Sequence, residues 1–439
     1  MKRYSRVVAT LVAAGALCAA SDAIAADCNF TGNVVYVTGS SASSPYLATL
    51  STVLAAQTPP ATLVYIGTES CQGVTTFVGG TALTSAATYW TPNPDGGTGI
   101  VANTCNFSAT STPATSVKAD LSVSDVFSST CLGATPLPST MQEINGPVQA
   151  MALIVHPNST ESSISAEAAH VIFKDIGNAG QQVMPWTDAT QLYIRQGGAA
   201  GSGTRAMIGA ALGFADSDWS SAIPSANVFT SSGQVLAAVS GATAGANAAK
   251  TLGILSVTKT DSNRPGSSST QQVKVLAFQA KGQTCGYLPD STKDALDKIN
   301  VREGRYDIWG PLHFITNTSG GMPVSSANPG VAGDDAAVQA FVNLVSLPSG
   351  SAILTDAQKM TSISAAAKAH VVAQCAMRVG RNGEVGAEAS ILPPESCGCY
   401  WESVATGATP ASCTTCTTSN DCASHTATPT CRYGFCEAN

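Results

Sequence analysis

This chain is poor in charge. Of its 439 residues only 11% are Asp, Glu, Lys or Arg, and the formal net charge is −7. No stripe of lysine and arginine is present to neutralise a phosphate backbone, which argues against a nucleic-acid partner. A weakly negative chain cannot draw in an anion by a global positive field, so any bound anion must be held by local dipoles. Aromatic residues are also few, at 6%, and the five tryptophans and ten tyrosines form no stripe on which a sugar would stack. Of the five histidines, His156 and His170 fall on apolar segments, and His313, near Trp309, has no evident partner. No metal-binding histidine cluster follows. The hydrolase elbow Gly-x-Ser-x-Gly is missing, since the chain around Ser202 reads AGSGT. No catalytic residues are therefore expected. Beyond the N-terminal leader no segment reaches the ~18 apolar residues of a membrane-spanning helix.

What is present begins with that leader. Lys2, Arg3 and Arg6 precede an apolar run from Val7 to Leu17, and Ala23-Ile24-Ala25 offers small residues at signal-peptide spacing. Cleavage after Ala25 or Ala26 is expected, giving an exported protein. Cysteines agree with export. Six of those beyond the leader (Cys28, Cys71, Cys105, Cys131, Cys285 and Cys375) are scattered over a long body. Seven more, from Cys397 to Cys436, crowd the C-terminal stretch. Such density predicts a disulfide-stapled tail over 395–439 more readily than a zinc site at Cys413, Cys416, Cys422 and His425. The total is odd, so either one thiol is free or a body cysteine, Cys375 being nearest, pairs into the tail.

The body alternates β-like and helical runs. NVVYVTG (33–39), TLVYIG (62–67), ADLSVSD (119–125) and VQAMALIVHP (148–157) read as strands. SPYLATLSTVLA (44–55) reads as a helix with Ser44 as its cap and Pro45 at its first position. ISAEAAHVIFKDIG (164–177) and DDAAVQAFVNLVSLPSG (334–350) read as helical too. This alternation predicts parallel sheets covered by helices. The Thr-, Ser-, Pro- and Gly-rich stretch 80–118 reads as a surface insertion, a hairpin pinned by Cys105.

Three strand-to-helix junctions share one character, small hydroxyl residues with glycine: GSSASSP (39–45), GTESCQG (67–73) and GSGT (201–204). A fourth, VSD (123–125), puts a carboxylate at a strand end. A helix N-terminus carries unpaired N–H groups and partial positive charge, and in parallel sheets such ends converge at the carboxyl edge. In that order these loops resemble the phosphate-binding proteins of phosphate ABC transporters. Ser43 stands where the family's first loop has threonine, Ser70 matches its second loop, Val123-Ser124-Asp125 its Ala-Ser-Asp, and Ser202-Gly203-Thr204 its Ser-Gly-Thr. VHPN, HVIFKDIG and MPW (155–186), TLGILSV (251–257) and GRYDIWGPLHF (304–314) follow in the family's order. One departure is clear: the arginine that the family places four residues before the serine is here Gly198, with Arg195 and Arg205 nearest. A longer loop would have to return Arg195 to the site.

The resemblance implies an α/β, two-lobed periplasmic-binding-protein fold of type II with a small disulfide-rich C-terminal tail. The first lobe would hold 27–152 and 272–390, and the second 153–271. The implied ligand set is Ser43, Ser44, Ser70, Asp125, Arg195, Ser202, Gly203 and Thr204, closing on inorganic phosphate or a similar tetrahedral oxyanion. No cofactor or metal is expected. A membrane permease is the implied partner of a monomer. The competing expectation keeps the fold but makes the protein a surface or matrix binding protein whose tail mediates attachment.

Overall fold

In this computed structural model the described residues are 26–30, 32–92, 99–107, 116–176, 182–187, 194–197, 201–242, 246–327, 332–347, 353–384 and 386–438. The leader lies outside them. Ten strands build one curled sheet. They are β1 (Val34–Ser40), β2 (Thr62–Thr68), β3 (Ala87–Pro92), β4 (Ile100–Asn106), β5 (Leu121–Ser124), β6 (Met141–Val155), β7 (Ile194–Gly197), β8 (Val228–Phe229), β9 (Leu252–Ser256) and β10 (Trp309–Ser319). Their spatial order is β4-β3-β2-β1-β5-β10-β6-β9-β7-β8, with short strands added at its margins.

Every residue of β1, VVYVTGS, is buried, as expected of a strand covered on both faces. β1 runs parallel to β2 and β5, and β7 runs parallel to β8 and β9. The expectation of purely parallel sheets fails at the centre, where β10 is antiparallel to both β5 and β6, and β6 is antiparallel to β9. β6 is also longer than its apolar core suggested. Met141 to Ala150 face β10, while Met151 to Val155 face β9. One strand thus pairs with β10 along its first part and with β9 along its second, and so links the two halves of the sheet.

Helices cover this sheet: α1 (Ser44–Ala55), α2 (Ser70–Val78), α3 (Ser128–Leu132), α4 (Gly203–Ala211), α5 (Ser232–Ser240), α6 (Ala332–Ser346), α7 (Asp356–Lys368) and α8 (Gly398–Thr406). The run from 164 is helical only over Ala166–His170 and then widens into a π-turn over Val171–Asp175, whose Ile172 and Phe173 are buried. The insertion is a hairpin of β3 and β4, tied by Cys28–Cys105 to the start of the described chain. None of the described helices is long and apolar enough to cross a membrane.

Six disulfides form. Cys71–Cys131 joins α2 to α3, Cys375–Cys397 ties the body to the tail, and Cys399–Cys413, Cys416–Cys431 and Cys422–Cys436 staple the tail itself. Cys285 remains a thiol, so both outcomes allowed by the odd count occur together. The sulfurs considered for zinc are consumed in these bonds.

Candidate functional site

Strands β1, β2 and β5 end side by side, and each hands the chain to a helix. After β1 a single 3-10 turn, Ser41–Ser43, leads into α1. After β2, Glu69 is the N-cap of α2. From the other lobe, Ser202 caps α4 and Ser231 caps α5, each hydroxyl accepting the N–H three residues on, from Arg205 at 3.5 Å and Gln234 at 3.3 Å. Four helix starts therefore meet around one small space of about 20 Å³. Ser40, Ser41 and Ala42 line it from the first, Glu69 and Ser70 from the second, Ser202 and Thr204 from the third, and Ser231 and Ser232 from the fourth. Val235 and Ile254 close its apolar side. A single ordered water needs roughly 10–15 Å³. A compact inorganic ion, with its outer atoms within one bond of the centre, fits this scale.

Asp125 is also in this wall, and it is buried. Its Oδ2 accepts the hydroxyls of Ser40 at 2.6 Å and Ser70 at 3.2 Å, and its N–H donates to Ser70 Oγ at 3.2 Å. Burial pushes its pKa up to about 6. The two hydroxyls and His313 pull it down, while the charge of Glu69 adds to the rise. Behind Asp125, His313 Nδ1 lies 2.8 Å from Glu143 Oε1 and its ring packs 4.1 Å from that of Phe127. The histidine is thus engaged away from the space.

Glycine allows the elements to come this close. A Cβ on Gly73 of α2 would lie 2.3 Å from the Cα of Gly39 in β1, so only glycine lets α2 settle on the strand end and deliver Ser70. A Cβ on Gly203 would lie 2.3 Å from Ser70 Oγ and 2.7 Å from Asp125 Cβ, so the first turn of α4 rests directly on the opposite lobe. The Cys71 N–H adds a bond across the lobes to the Gly201 carbonyl at 3.0 Å.

Of the residues expected from sequence, the structure brings together Ser70, Asp125, Ser202, Gly203 and Thr204. It does not bring Ser43, Ser44 or Arg195 to the space. Ser43 donates its hydroxyl to the Ser40 carbonyl at 2.8 Å, and Ser44 is the first residue of α1, with Ser43 in the N-cap position and making no side-chain cap bond. The 3-10 turn is the cause, because it advances the facing hydroxyl from Ser43 to Ser40. Arg195 sits on β7 opposite Gly253, with Nη1 donated to the neighbouring Ile194 carbonyl at 3.0 Å. Burial lowers its pKa, and no acidic partner offsets that among the described residues. Gly198 lies outside those residues. Arg205 lies in the first turn of α4. Its Nε is 3.3 Å from Asp216 Oδ1, its guanidinium packs over Trp219, and Glu69 acts on its charge. Sequence reasoning missed Ser40, Ser41, Glu69, Ser231 and Ser232. The first two lie inside the GSSASSP junction already singled out, and TSSG at 230–233 repeats its hydroxyl-glycine character.

No family model matches the chain, and no curated protein matches it. Among solved structures it is similar to a protein assigned as a phosphate ABC transporter substrate-binding protein from Clostridium perfringens, solved with bound phosphate. Identity there is 12% and the TM-score 0.48, over 78% of this chain and 99% of that one. It is also similar to a high-affinity periplasmic phosphate-binding protein, PfluDING, at 15% identity and a TM-score of 0.43, over 77% and 90%. OxyR from Corynebacterium glutamicum is similar at 10% identity and a TM-score of 0.36, over 77% and 67%. These are likenesses of architecture and assign no ligand.

Proposed function

We propose that this chain is an exported solute-binding protein that holds inorganic phosphate, or a close tetrahedral analogue, between two lobes, and that it catalyses no reaction. The observation that carries the reading is four helix N-termini converging on one small space whose wall also holds a buried carboxylate. Helix starts supply N–H donors and partial positive charge to an oxyanion without any lysine or arginine. A carboxylate would repel a fully ionised guest. It becomes useful when the guest carries a proton, because Asp125 can then accept a hydrogen bond from it. Sulfate offers no such proton at neutral pH.

The lobes in this reading are 27–152 with 272–390, and 153–271. A guest contacting both favours their closed arrangement by its differential affinity. A membrane permease or sensor would read that closure. The leader and the six disulfides support export to an oxidising compartment.

Calorimetric titration at neutral pH tests the proposal. Phosphate and arsenate should bind, and sulfate should bind more weakly by roughly 10⁴, the discrimination expected when a buried acceptor is left unpaired. Asp125→Asn should narrow that gap by at least tenfold. Sulfate bound as tightly as phosphate would remove the role given to Asp125.

A further inference from the structure

One wall of the space is the turn that follows β1, and a residue outside the wall sets its conformation. Tyr65 of β2 is not among the lining residues. Its buried hydroxyl donates to the Ser40 carbonyl at 2.5 Å and lies 3.2 Å from the Gly39 carbonyl. Register explains this reach. β1 and β2 run parallel, with Val37 beside Tyr65 and Gly39 beside Gly67. A Cβ on Gly67 would lie 3.2 Å from Tyr65 Oη, so the phenol extends forward over Gly67 to the end of β1. The inserted hairpin backs the ring. Thr88 of β3 pairs with Tyr65, and the Trp90 ring stacks on the phenol with centroids 6.0 Å apart and planes at 21°. Burial pushes the phenol's pKa up, so the hydroxyl keeps its proton and remains a donor.

A carbonyl oxygen turned toward an anion would repel it, and Ser40 lines the space. Two hydroxyls tie its carbonyl, those of Tyr65 at 2.5 Å and Ser43 at 2.8 Å. The peptide joining Ser40 to Ser41 is trans, and a trans peptide is planar with its C=O and N–H on opposite sides. Fixing the Ser40 oxygen therefore fixes the Ser41 N–H in the opposite direction, and Ser41 lines the space as well. Ser40 also carries the hydroxyl that reaches Asp125 Oδ2 at 2.6 Å. One turn thus sets both an amide donor and a hydroxyl bonded to the buried carboxylate. Resting on the oxyanion reading above, we propose that Tyr65 is a positioning residue of the anion site, holding the Ser40–Ser41 peptide with its N–H toward the guest. The hairpin of β3 and β4, through Trp90, keeps Tyr65 in place and so belongs to the binding machinery.

Calorimetric titration of the full chain with inorganic phosphate at neutral pH, native and Tyr65→Phe, tests this. The variant keeps the ring and loses only the hydroxyl. Its phosphate affinity should fall roughly tenfold or more, the scale of one hydrogen bond to a charged guest. Tyr36→Phe controls for a purely structural loss. Tyr36 is buried in β1, and its hydroxyl donates to a backbone carbonyl too, that of Cys28 at 2.9 Å. This control should lose a similar amount of melting temperature yet bind phosphate as the native chain does. Trp90→Leu should weaken binding several-fold in the same direction as Tyr65→Phe. Native affinity in Tyr65→Phe, or equal losses in Tyr65→Phe and Tyr36→Phe, overturns the positioning role and leaves the oxyanion site standing. Native affinity in Trp90→Leu overturns the part given to the hairpin. Absence of phosphate binding by the native chain sinks the oxyanion reading and this proposal with it.

Discussion

At the scale of single residues, Asp125 sets stability against the binding role proposed for it. Its pKa rises from 3.8 to about 6 on folding, so the folded chain holds this proton more tightly than the unfolded chain does. Its contribution to stability is complete below about pH 4 and is lost as the pH climbs through 6. At neutral pH the buried, ionised carboxylate costs up to about 3 kcal/mol, counted at ~1.4 kcal/mol per pH unit. Asn keeps an acceptor for Ser40 and Ser70 without the charge. Asp125→Asn should therefore melt several degrees above the native chain at pH 7, and the difference should close near pH 4. The same variant should lose discrimination between phosphate and sulfate, the usual trade at a site held ready for its guest. Thermal melts of both proteins at the two pH values check the sign. A lower melting temperature for the variant at pH 7 would mean that Asp125 gains more from its donors than burial takes away.

At the scale of elements, α2 carries the most. Its first turn presents Glu69 and Ser70, its third residue beyond Ser70 meets Gly39, and Cys71 is bonded to Cys131 in the helix that follows Asp125. That bond closes a sequence separation of 60 residues. In the chain-entropy account a loop of this size is worth about 4 kcal/mol. Replacing Cys71 and Cys131 together by serine should cost up to that amount in urea unfolding. It should also weaken phosphate binding several-fold, because Ser70 and Asp125 lose their common anchor. A variant that is less stable but binds as before would reduce the bond to a simple staple. The junctions of these elements were legible in the sequence because β-branched runs ending in glycine and serine announce a strand turning into a helix. The facing residue was not legible. Whether Ser40 or Ser43 points inward depends on one 3-10 turn, which leaves no periodicity to read. Arg195 failed for a nonlocal reason, since its direction follows from pairing with β9 some 58 positions along the chain. Nor did the apolar runs of β6 and β10 reveal their antiparallel course, because a strand buried on both faces looks alike in either direction.

At the scale of the whole molecule, the tail decides between the uptake reading and an attachment role. It is stapled within itself, yet its first helix is built into the body. Trp401 of α8 is fully buried and donates Nε1–H to the Val371 carbonyl at 3.0 Å. The buried guanidinium of Arg302, from the body, lies 2.6 Å from Glu402 and packs over the Trp401 ring. Glu437, near the far end of the tail, accepts the N–H groups of Cys399 and Tyr400 at the start of α8. Cutting the chain before Glu395 would remove the partner of Arg302, and breaking a buried pair costs ~3–5 kcal/mol. It would also empty the Trp401 pocket, a loss of similar size at ~3–5 kcal/mol for a tryptophan removed from a core. Cys375 would be left without Cys397. These losses together rival the ~5–15 kcal/mol that a folded domain has to spare. The truncated chain should thus melt far below the native protein or accumulate as aggregate, and phosphate binding should fail with the fold. A detachable adhesive module predicts the reverse: a truncated body with native melting temperature and native phosphate affinity. Differential scanning calorimetry of the two chains, followed by titration at a temperature where both are folded, separates these outcomes.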